Sequence, residues 1–452
     1  MRYSFNKLIL KIILSISAGF LLYLSFSKYE LWFLSLPAIV SLFVIKEGYF
    51  WLFTGFVFFF MSLRCSGIAA IEFGGVHPLV FYVLYTLFVV FLSLYQFYAP
   101  FKLWERFFRR HEWSLPLLYV FFEVLRSYFP FGGFPWLIIG SLSVYVPIIR
   151  DSLLYLNVYF QSLLILLSAL FIAKRSLKPL FFLWVFFLSF GILAIYKKEE
   201  SMQKAHRTKV ALVQTAVPQQ DKLSREAFAK YGDRILDLIE EAVDKGADIV
   251  VLPESALHFF YSEEDNDQNM RLRSLSFKTP ILVGLIDLRD GLRPYNSIYL
   301  LANGTAVGHY DKIRLFPIGE YMPWPFGFLK EFFPAIAGID YVPGNKKEPL
   351  EYGNMKIATP ICFEVAYYDL VRDISKGANI IAVLTNDGWF KDSDCTHQHY
   401  LWARVRALEN GKYLLWVNNT GDTGVVDHRG RVISKMPYMK RGVSLHEVWL
   451  ID

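Results

Sequence analysis

A chain of 452 residues that is 54% hydrophobic, 18% aromatic and only 19% charged is too apolar for an ordinary soluble domain. Its net charge of +6 is no nucleic-acid footprint, because much of the Lys and Arg falls in short loops between apolar runs, where it orients a membrane protein. With three cysteines, Cys65, Cys362 and Cys395, an elaborate disulfide framework is excluded.

The composition divides the chain. Residues 1 to about 196 are almost wholly apolar and aromatic, and the rest reads as a globular domain. We expect a transmembrane domain over 1–198 and a water-exposed globular domain over 206–452. Apolar runs that suit spans lie at 8–26, 31–46, 49–70, 79–99, 114–130, 152–173 and 179–196, about seven helices. The first run lacks a small-residue cleavage site, so it is read as a span, not a removed signal peptide. Basic residues cluster in alternate loops: Arg2 and Lys7; Lys46; Lys102, Arg106, Arg109 and Arg110; Lys174, Arg175 and Lys178. That pattern puts the amino terminus in the cytoplasm, and seven crossings put the second half outside. Lys197 and Lys198 run against the rule, but a large following domain translocates largely regardless of charge.

Within the spans, FGGFPWLIIG (131–140) breaks the helical pattern with Gly132, Gly133 and Pro135, while Phe134 and Trp136 suit a membrane interface. It reads as an interfacial loop or as the wall of a lipid-facing cleft. Arg64, Glu72, Glu123 and Arg126 lie in or near spans, where charge is costly. Glu123 and Arg126 are three apart and are expected to neutralise each other.

From Lys209 short apolar strands alternate with helices, which argues an α/β layered domain. KVALVQTAVPQ and ADIVVLPES are strands, followed by Ile281–Ile286, Ser297–Leu301, Ala306–Tyr310, Ile357–Ile361, Ile380–Leu384, Tyr413–Asn418 and Gly424–Asp427. Ala227–Lys245 has a helical period, with Ile235, Leu238, Ile239 and Val243 on one face and Gly246 as its stop. Further helices are expected at Tyr367–Lys376 and His397–Asn410.

Three strand ends carry residues of catalytic type. Glu254 closes VVLPES after five apolar residues and a proline, so partial burial is expected. Lys312 lies in HYDKIRLFPIGEYMP, ahead of a proline-rich turn and Glu320. Cys362 sits in IATPICFEVA, where Pro360 ends strand pairing and can present the thiol to a cleft. A lone cysteine after an apolar strand is most often core filler. A carboxylate base, a cation and a thiol at three strand ends make instead a coherent acyl-transfer set. Cys362 and Cys395 could pair in principle, which would silence that thiol. His258, His309, His397 and His399 form no convincing metal-ligand set, and no phosphate-cradling glycine loop occurs. His397 and His399, beside Asp394 and Cys395, read better as a helix start. EYMPWPFGFLKEFFPAIAG (320–338) is rich in aromatics and reads as a wall around an apolar substrate, or as an arm that dips into the membrane interface.

PES, YDKxxLxPxGEYxP and CFE, in that order, resemble the Glu–Lys–Cys triad of the nitrilase (carbon–nitrogen hydrolase) superfamily. With a multi-span half containing GFPW, the chain is similar to the apolipoprotein N-acyltransferase family. LTNDGWFKDSDCTHQHYLWARVRALENGKYLLWVNNTGDTGVVDHRG also looks like that family's stretch after the nucleophile. The resemblance implies an α-β-β-α sandwich on a membrane base. It implies Glu254 as general base, Lys312 as stabiliser of thiolate and oxyanion, and Cys362 as nucleophile. Glu320, Phe363 and Glu364 are the implied supporting residues, and Phe134, Trp136, Tyr321, Trp324 and Trp389 the implied substrate contacts. No cofactor or metal is implied. The implied reaction passes an acyl chain from a membrane phospholipid, through a Cys362 thioester, to the α-amino group of a lipoprotein's diacylglyceryl-cysteine. The implied setting is a bacterial inner membrane, with a monomeric, multi-pass protein and its catalytic domain on the periplasmic side.

Two departures stand out. Family members commonly carry a final membrane helix, and SLHEVWLID holds no apolar run long enough to span. Many also carry a tryptophan soon after VPQ, and QQDKLSREAF has none. Two rivals remain: a membrane-anchored nitrilase-type amidase that uses water as the acceptor, and a scaffold that kept the fold without activity.

Overall fold

The computed structural model describes residues 2–222, 227–257, 267–289, 293–333 and 340–452. The chain falls into two units. The first comprises Met1–Glu72, Val76–Ile195 and Ser393–Leu401; the second comprises Phe73–Gly75, Tyr196–Asp392 and Trp402–Asp452.

The first unit is helical. Its helices are α1 (Arg2–Ser25), α2 (Ser35–Ile45), α3 (Gly48–Ser62), α4 (Pro78–Ser93), α5 (Ala99–Leu103), α6 (Ser114–Arg126), α7 (Val158–Ala173) and α8 (Leu177–Gln203), the last running on into the second unit. Among the described residues three stretches are long and apolar enough to cross a membrane: Leu8–Ser25, Pro78–Phe108 and Leu177–Gln203. The other four expected runs contain shorter helices of 11, 15, 13 and 16 residues. Aromatic rings fill the interior. Trp51, Phe97, Phe101 and Tyr119 are buried, with ring centroids 5.5 Å apart for Phe97–Tyr119 and 5.6 Å for Trp51–Phe101. Small residues permit that packing: a Cβ on Gly55 would sit 2.6 Å from the Phe97 ring.

α6 stops at Arg126 because the chain turns there into the glycine-containing loop. Gly133 has φ +89° and sits so close that a Cβ would lie 2.1 Å from the Ser127 carbonyl oxygen. Glu123 and Arg126 also hold this loop. Arg126 Nη1 donates to the carbonyls of Phe134 and Trp136, both at 2.9 Å, and its Nε donates to Gln96 Oε1 at 3.0 Å. Glu123 Oε1 accepts the Ile139 N–H at 3.0 Å. Main chain that leaves a helix inside an apolar unit must find partners, and these two side chains supply them.

The cysteine pairing also differs from the one considered. Cys65 and Cys395 form the disulfide, with Cα atoms 5.9 Å apart, and Cys362 is free. Cys395 lies at the start of α13 (Asp394–Asn410), whose first turns belong to the first unit. Asp394 accepts the Tyr23 hydroxyl at 3.0 Å and the Lys28 N–H at 3.1 Å, so this stretch is a helix start, three residues earlier than His397.

The second unit contains two six-stranded sheets. The strands are β1 (His206–Gln214), β2 (Ile249–Val251), β3 (Ile281–Arg289), β4 (Arg293–Ala302), β5 (Thr305–Asp311), β6 (Leu350–Tyr352), β7 (Met355–Ala358), β8 (Ile380–Thr385), β9 (Leu414–Asn418), β10 (Gly424–Val426), β11 (Val432–Lys435) and β12 (Gly442–Leu450). The sheet orders are β12-β1-β2-β3-β4-β5 and β11-β10-β9-β8-β7-β6. Each sheet has a parallel trio, β1-β2-β3 or β7-β8-β9, with antiparallel strands at its flanks. The helices of this unit are α9 (Gln219–Lys222), α10 (Ala227–Asp244), α11 (Asp267–Lys278), α12 (Tyr368–Ile374) and the rest of α13. Ile235, Leu238 and Ile239 of α10 are buried against Val213, Val250 and Val283 of the first sheet, the face that the helical period predicts. Each such side chain contributes roughly 1.5–3 kcal/mol through burial. The result is the expected α-β-β-α sandwich. His258 and residues 334–338 of the aromatic segment lie outside the described residues.

Candidate active site

Glu254 follows β2 at the end of a parallel strand, and Cys362 follows β7 in the same way. Carboxyl ends of parallel strands are where such sheets offer side chains to ligands. Lys312 follows the antiparallel β5, and its N–H donates to the Asn296 carbonyl at 2.9 Å. These three strand ends come together. Lys312 Nζ donates to Glu320 Oε1 at 2.8 Å and stands 3.6 Å from Glu254 Oε1. Asn296 Nδ2 bridges the two acids, donating to Glu254 Oε1 at 2.7 Å and to Glu320 Oε1 at 2.9 Å. Glu320 Oε2 accepts the Phe316 N–H at 2.7 Å.

Burial and the local charges together govern the thiol. One ammonium between two carboxylates leaves a net negative charge in a buried place; Lys312 is 2% exposed and Glu254 7%. Burial, and next the Glu254 carboxylate, push the Cys362 thiol well above its ordinary value, against the opposing pull of Lys312 and the Thr385 hydrogen bond. Cys362 therefore rests as a thiol. Burial alone would pull Lys312 down, but the Glu320 and Glu254 carboxylates outweigh it and hold the ammonium well above its ordinary value.

Local backbone presents the sulfur. Cys362 has φ +51°, a left-handed conformation that costs a non-glycine residue roughly 1–2 kcal/mol. Glu364 holds that corner. Its Oε2 accepts the Ile361 N–H at 2.8 Å, and its Oε1 accepts the N–H groups of Ile313 and Arg314 at 2.7 and 2.9 Å. The Tyr310 hydroxyl donates to it as well, at 3.0 Å. One buried carboxyl thus ties the turn after Lys312 to the turn bearing Cys362. Burial pushes Glu364 up to about 7, against the Ile361, Arg314 and Ile313 N–H groups and Lys312. Phe363 packs edge-on between Phe316 and Tyr367, at 5.0 and 5.6 Å.

The aromatic residues fall in different places. Tyr321 is half-buried beside the Pro317 bridge, while Trp324 and Phe328 are 88% and 68% exposed. Trp389 meets Phe73 edge-on at 6.0 Å. Phe134 and Trp136 belong to the first unit. Phe134 packs on Phe88 at 5.5 Å, and buried Trp136 donates its indole N–H to Gln398 at 2.8 Å.

Sequence reasoning missed four contributors. Asn296 orients both acids, and only its polarity within an apolar strand marked it. Tyr341 feels the charges of Glu320, Glu254 and Lys312, and the charge of Asp387 acts on Cys362. Arg406, buried in α13, donates to the carbonyls of Val365 at 2.7 Å and Ala366 at 2.6 Å, behind the Cys362 turn. A buried arginine in ARVRAL was the available signal.

Residues 209–450 match the family described as Carbon-nitrogen hydrolase. Residues 18–171 match the Apolipoprotein N-acyltransferase N-terminal domain. An apolipoprotein N-acyltransferase of Aquifex aeolicus is 43% identical over 433 residues, covering 95% of this chain and 96% of that one. This chain belongs to the apolipoprotein N-acyltransferase family. Members from Haemophilus ducreyi and Nitrosomonas europaea are 28% and 27% identical, over 96% and 85% of this chain and 90% and 79% of theirs. Membership makes the chain a membrane-embedded acyltransferase with a carbon–nitrogen hydrolase domain.

Proposed function

We propose that this enzyme moves an acyl chain from a membrane phospholipid to the α-amino group of a lipoprotein's diacylglyceryl-cysteine, with Cys362 as the carrier. The observation that carries this reading is the meeting of Lys312 with Glu254 at 3.6 Å beside a thiol that both charges influence. Glu254 takes the Cys362 proton as the sulfur attacks the ester carbonyl. Lys312 stabilises the developing negative charge on sulfur and oxygen. The ester C–O bond breaks, Glu254 returns the proton to the departing lysophospholipid alkoxide, and a thioester remains. The acceptor amine then attacks that thioester, Glu254 takes up the amine proton, and the sulfur leaves and is reprotonated as the amide forms. Glu320 and Glu364 act as positioning residues, one through Lys312 and the other through the two turns.

The exposed Trp324 and Phe328 favour a lipid substrate over the small soluble amide of a nitrilase-type amidase. Tyr321 and Trp389 are assigned to acyl-chain contact, and Phe134 and Trp136 to the lipid side of the apolar unit. For the setting, we infer a multi-pass protein of a bacterial inner membrane with the catalytic domain on the periplasmic side. Alternating basic loops support that orientation, and the Cys65–Cys395 disulfide suits an oxidising compartment. An alkyne-tagged phospholipid should label the wild type through Cys362 and leave Cys362→Ala unlabelled. Equal labelling of the two would remove the thioester reading.

A further inference from the structure

One ammonium beside Glu254 has no part in the mechanism above. Lys222 ends α9, the turn that follows β1, and both ends of this turn touch the site. At one end Gln219 Oε1 accepts Asn386 Nδ2 at 3.0 Å, and a Cβ on Gly388 would come within 2.9 Å of the same oxygen. Asp387, between those two residues, is the acid whose charge acts on Cys362. At the other end Lys222 Nζ donates to the carbonyl oxygen of Glu254 at 3.4 Å, and the Glu254 charge acts on it.

The two lysines differ in their partners. Lys312 has two carboxylates within 3.6 Å. Among the described residues Lys222 forms no ion pair, and its single hydrogen bond goes to a carbonyl. Its neighbour Asp221 is engaged by Tyr231 and Lys230. Burial pulls Lys222 down to about 8, offset only in part by Glu254. A half-buried ammonium held by one carbonyl is chemically matched to an anion, which would supply charge-assisted hydrogen bonds in a place of reduced solvation.

We propose that Lys222 binds the phosphodiester of the acyl donor and so determines which lipids can acylate Cys362. This rests on the thioester reading above. In a glycerophospholipid the phosphate lies only a few bonds from the ester that must reach the sulfur. With the ester at Cys362 and the leaving alkoxide at Glu254, the phosphate is carried toward the group bonded to the Glu254 main chain. The acceptor's diacylglyceryl-cysteine has no phosphate, so Lys222 serves the first half-reaction and not the second.

The test compares two acyl donors on the full-length protein in detergent. One is phosphatidylglycerol; the other is an uncharged p-nitrophenyl ester of the same acyl chain. Lys222→Met should lower the ratio of phospholipid to neutral-ester acylation roughly tenfold to a hundredfold, the range for one charged hydrogen bond. Lys222→Arg should restore most of that ratio. An unchanged ratio in Lys222→Met would overturn the proposal, whether both rates fall together or neither falls; a shared fall would mark Lys222 as a support for Glu254. In the wild type, diacylglycerol, which lacks the phosphate, should be a poorer donor than phosphatidylglycerol. Equal rates there also refute the proposal, even if Lys222→Met does not fold. If the wild type is acylated by neither lipid, the thioester reading itself fails, which is a separate outcome.

Discussion

At the scale of single residues, Glu364 is the clearest case of a group that acts through others. Its carboxyl oxygens accept three main-chain N–H groups and one hydroxyl, from both sides of the Lys312 and Cys362 turns. In Glu364→Gln an N–H₂ would face a donor whichever way the amide turned, a loss of about 1–3 kcal/mol. Acylation should fall with it, because the two turns lose their tie. The pH dependence follows from the raised value of about 7. Between about pH 4.5 and 7 the folded protein keeps a proton that the unfolded chain has released. Stability from this group is therefore full below that window and is lost as pH rises through it, by roughly 3 kcal/mol. The gap in thermal midpoint between wild type and Glu364→Gln should narrow as pH rises from 4.5 to 7. A constant gap would show that Glu364 is not the titrating group. In the sequence, Glu254, Lys312, Cys362, Glu320 and Glu364 all stood in recognisable motifs. Asn296 did not, because its effect lies in a bridge between acids 66 positions apart in the chain (254 and 320) that only the folded sheet brings together.

Among the elements, the aromatic segment after Lys312 leaves large apolar side chains exposed. Trp324 is 88% exposed just ahead of a short helical turn, Phe326–Phe332, on which Phe328 and Phe332 are 68% and 46% exposed. Apolar rings held open to solvent in this way suit a lipid surface. Replacing Trp324 and Phe328 by serine should raise KM for phospholipid about tenfold or more while kcat on the neutral ester holds. Unchanged KM in vesicles would sink the interfacial role. Strands with apolar runs, such as β1, β3 and β8, were plain in the sequence. β6, β11, β12 and α11 were not. β12 alternates half-buried and exposed residues at a sheet edge, and α11, DQNMRLRSLSFK, is too polar to show a periodic face. The strand expected over Ile357–Ile361 ends at Ala358, because Pro360 cannot donate to a ladder.

For the whole molecule, the disulfide is what the chain order concealed. It closes a separation of 330 residues and ties the Ser393–Leu401 segment into the apolar unit. Denatured, unreduced protein should therefore expose one reactive thiol, Cys362, and three after reduction. Two exposed thiols are impossible with this pairing, and protection of Cys362 would refute it. Reduction should also lower the thermal midpoint, since a cross-link over so long a loop restricts the unfolded chain by a few kcal/mol.

The sequence by itself determined the division into an apolar helical half and an α/β half, most of the strands, and the residue types of the proposed triad. Those properties are written locally, in hydrophobic period, turn residues and short motifs. Tertiary structure alone decided which carboxylates flank Lys312, which cysteine Cys395 takes, and what Glu123 and Arg126 hold. Each of those depends on residues brought together from distant parts of the chain, and a neighbour's charge or carbonyl acts over a few ångströms whatever the separation along the backbone.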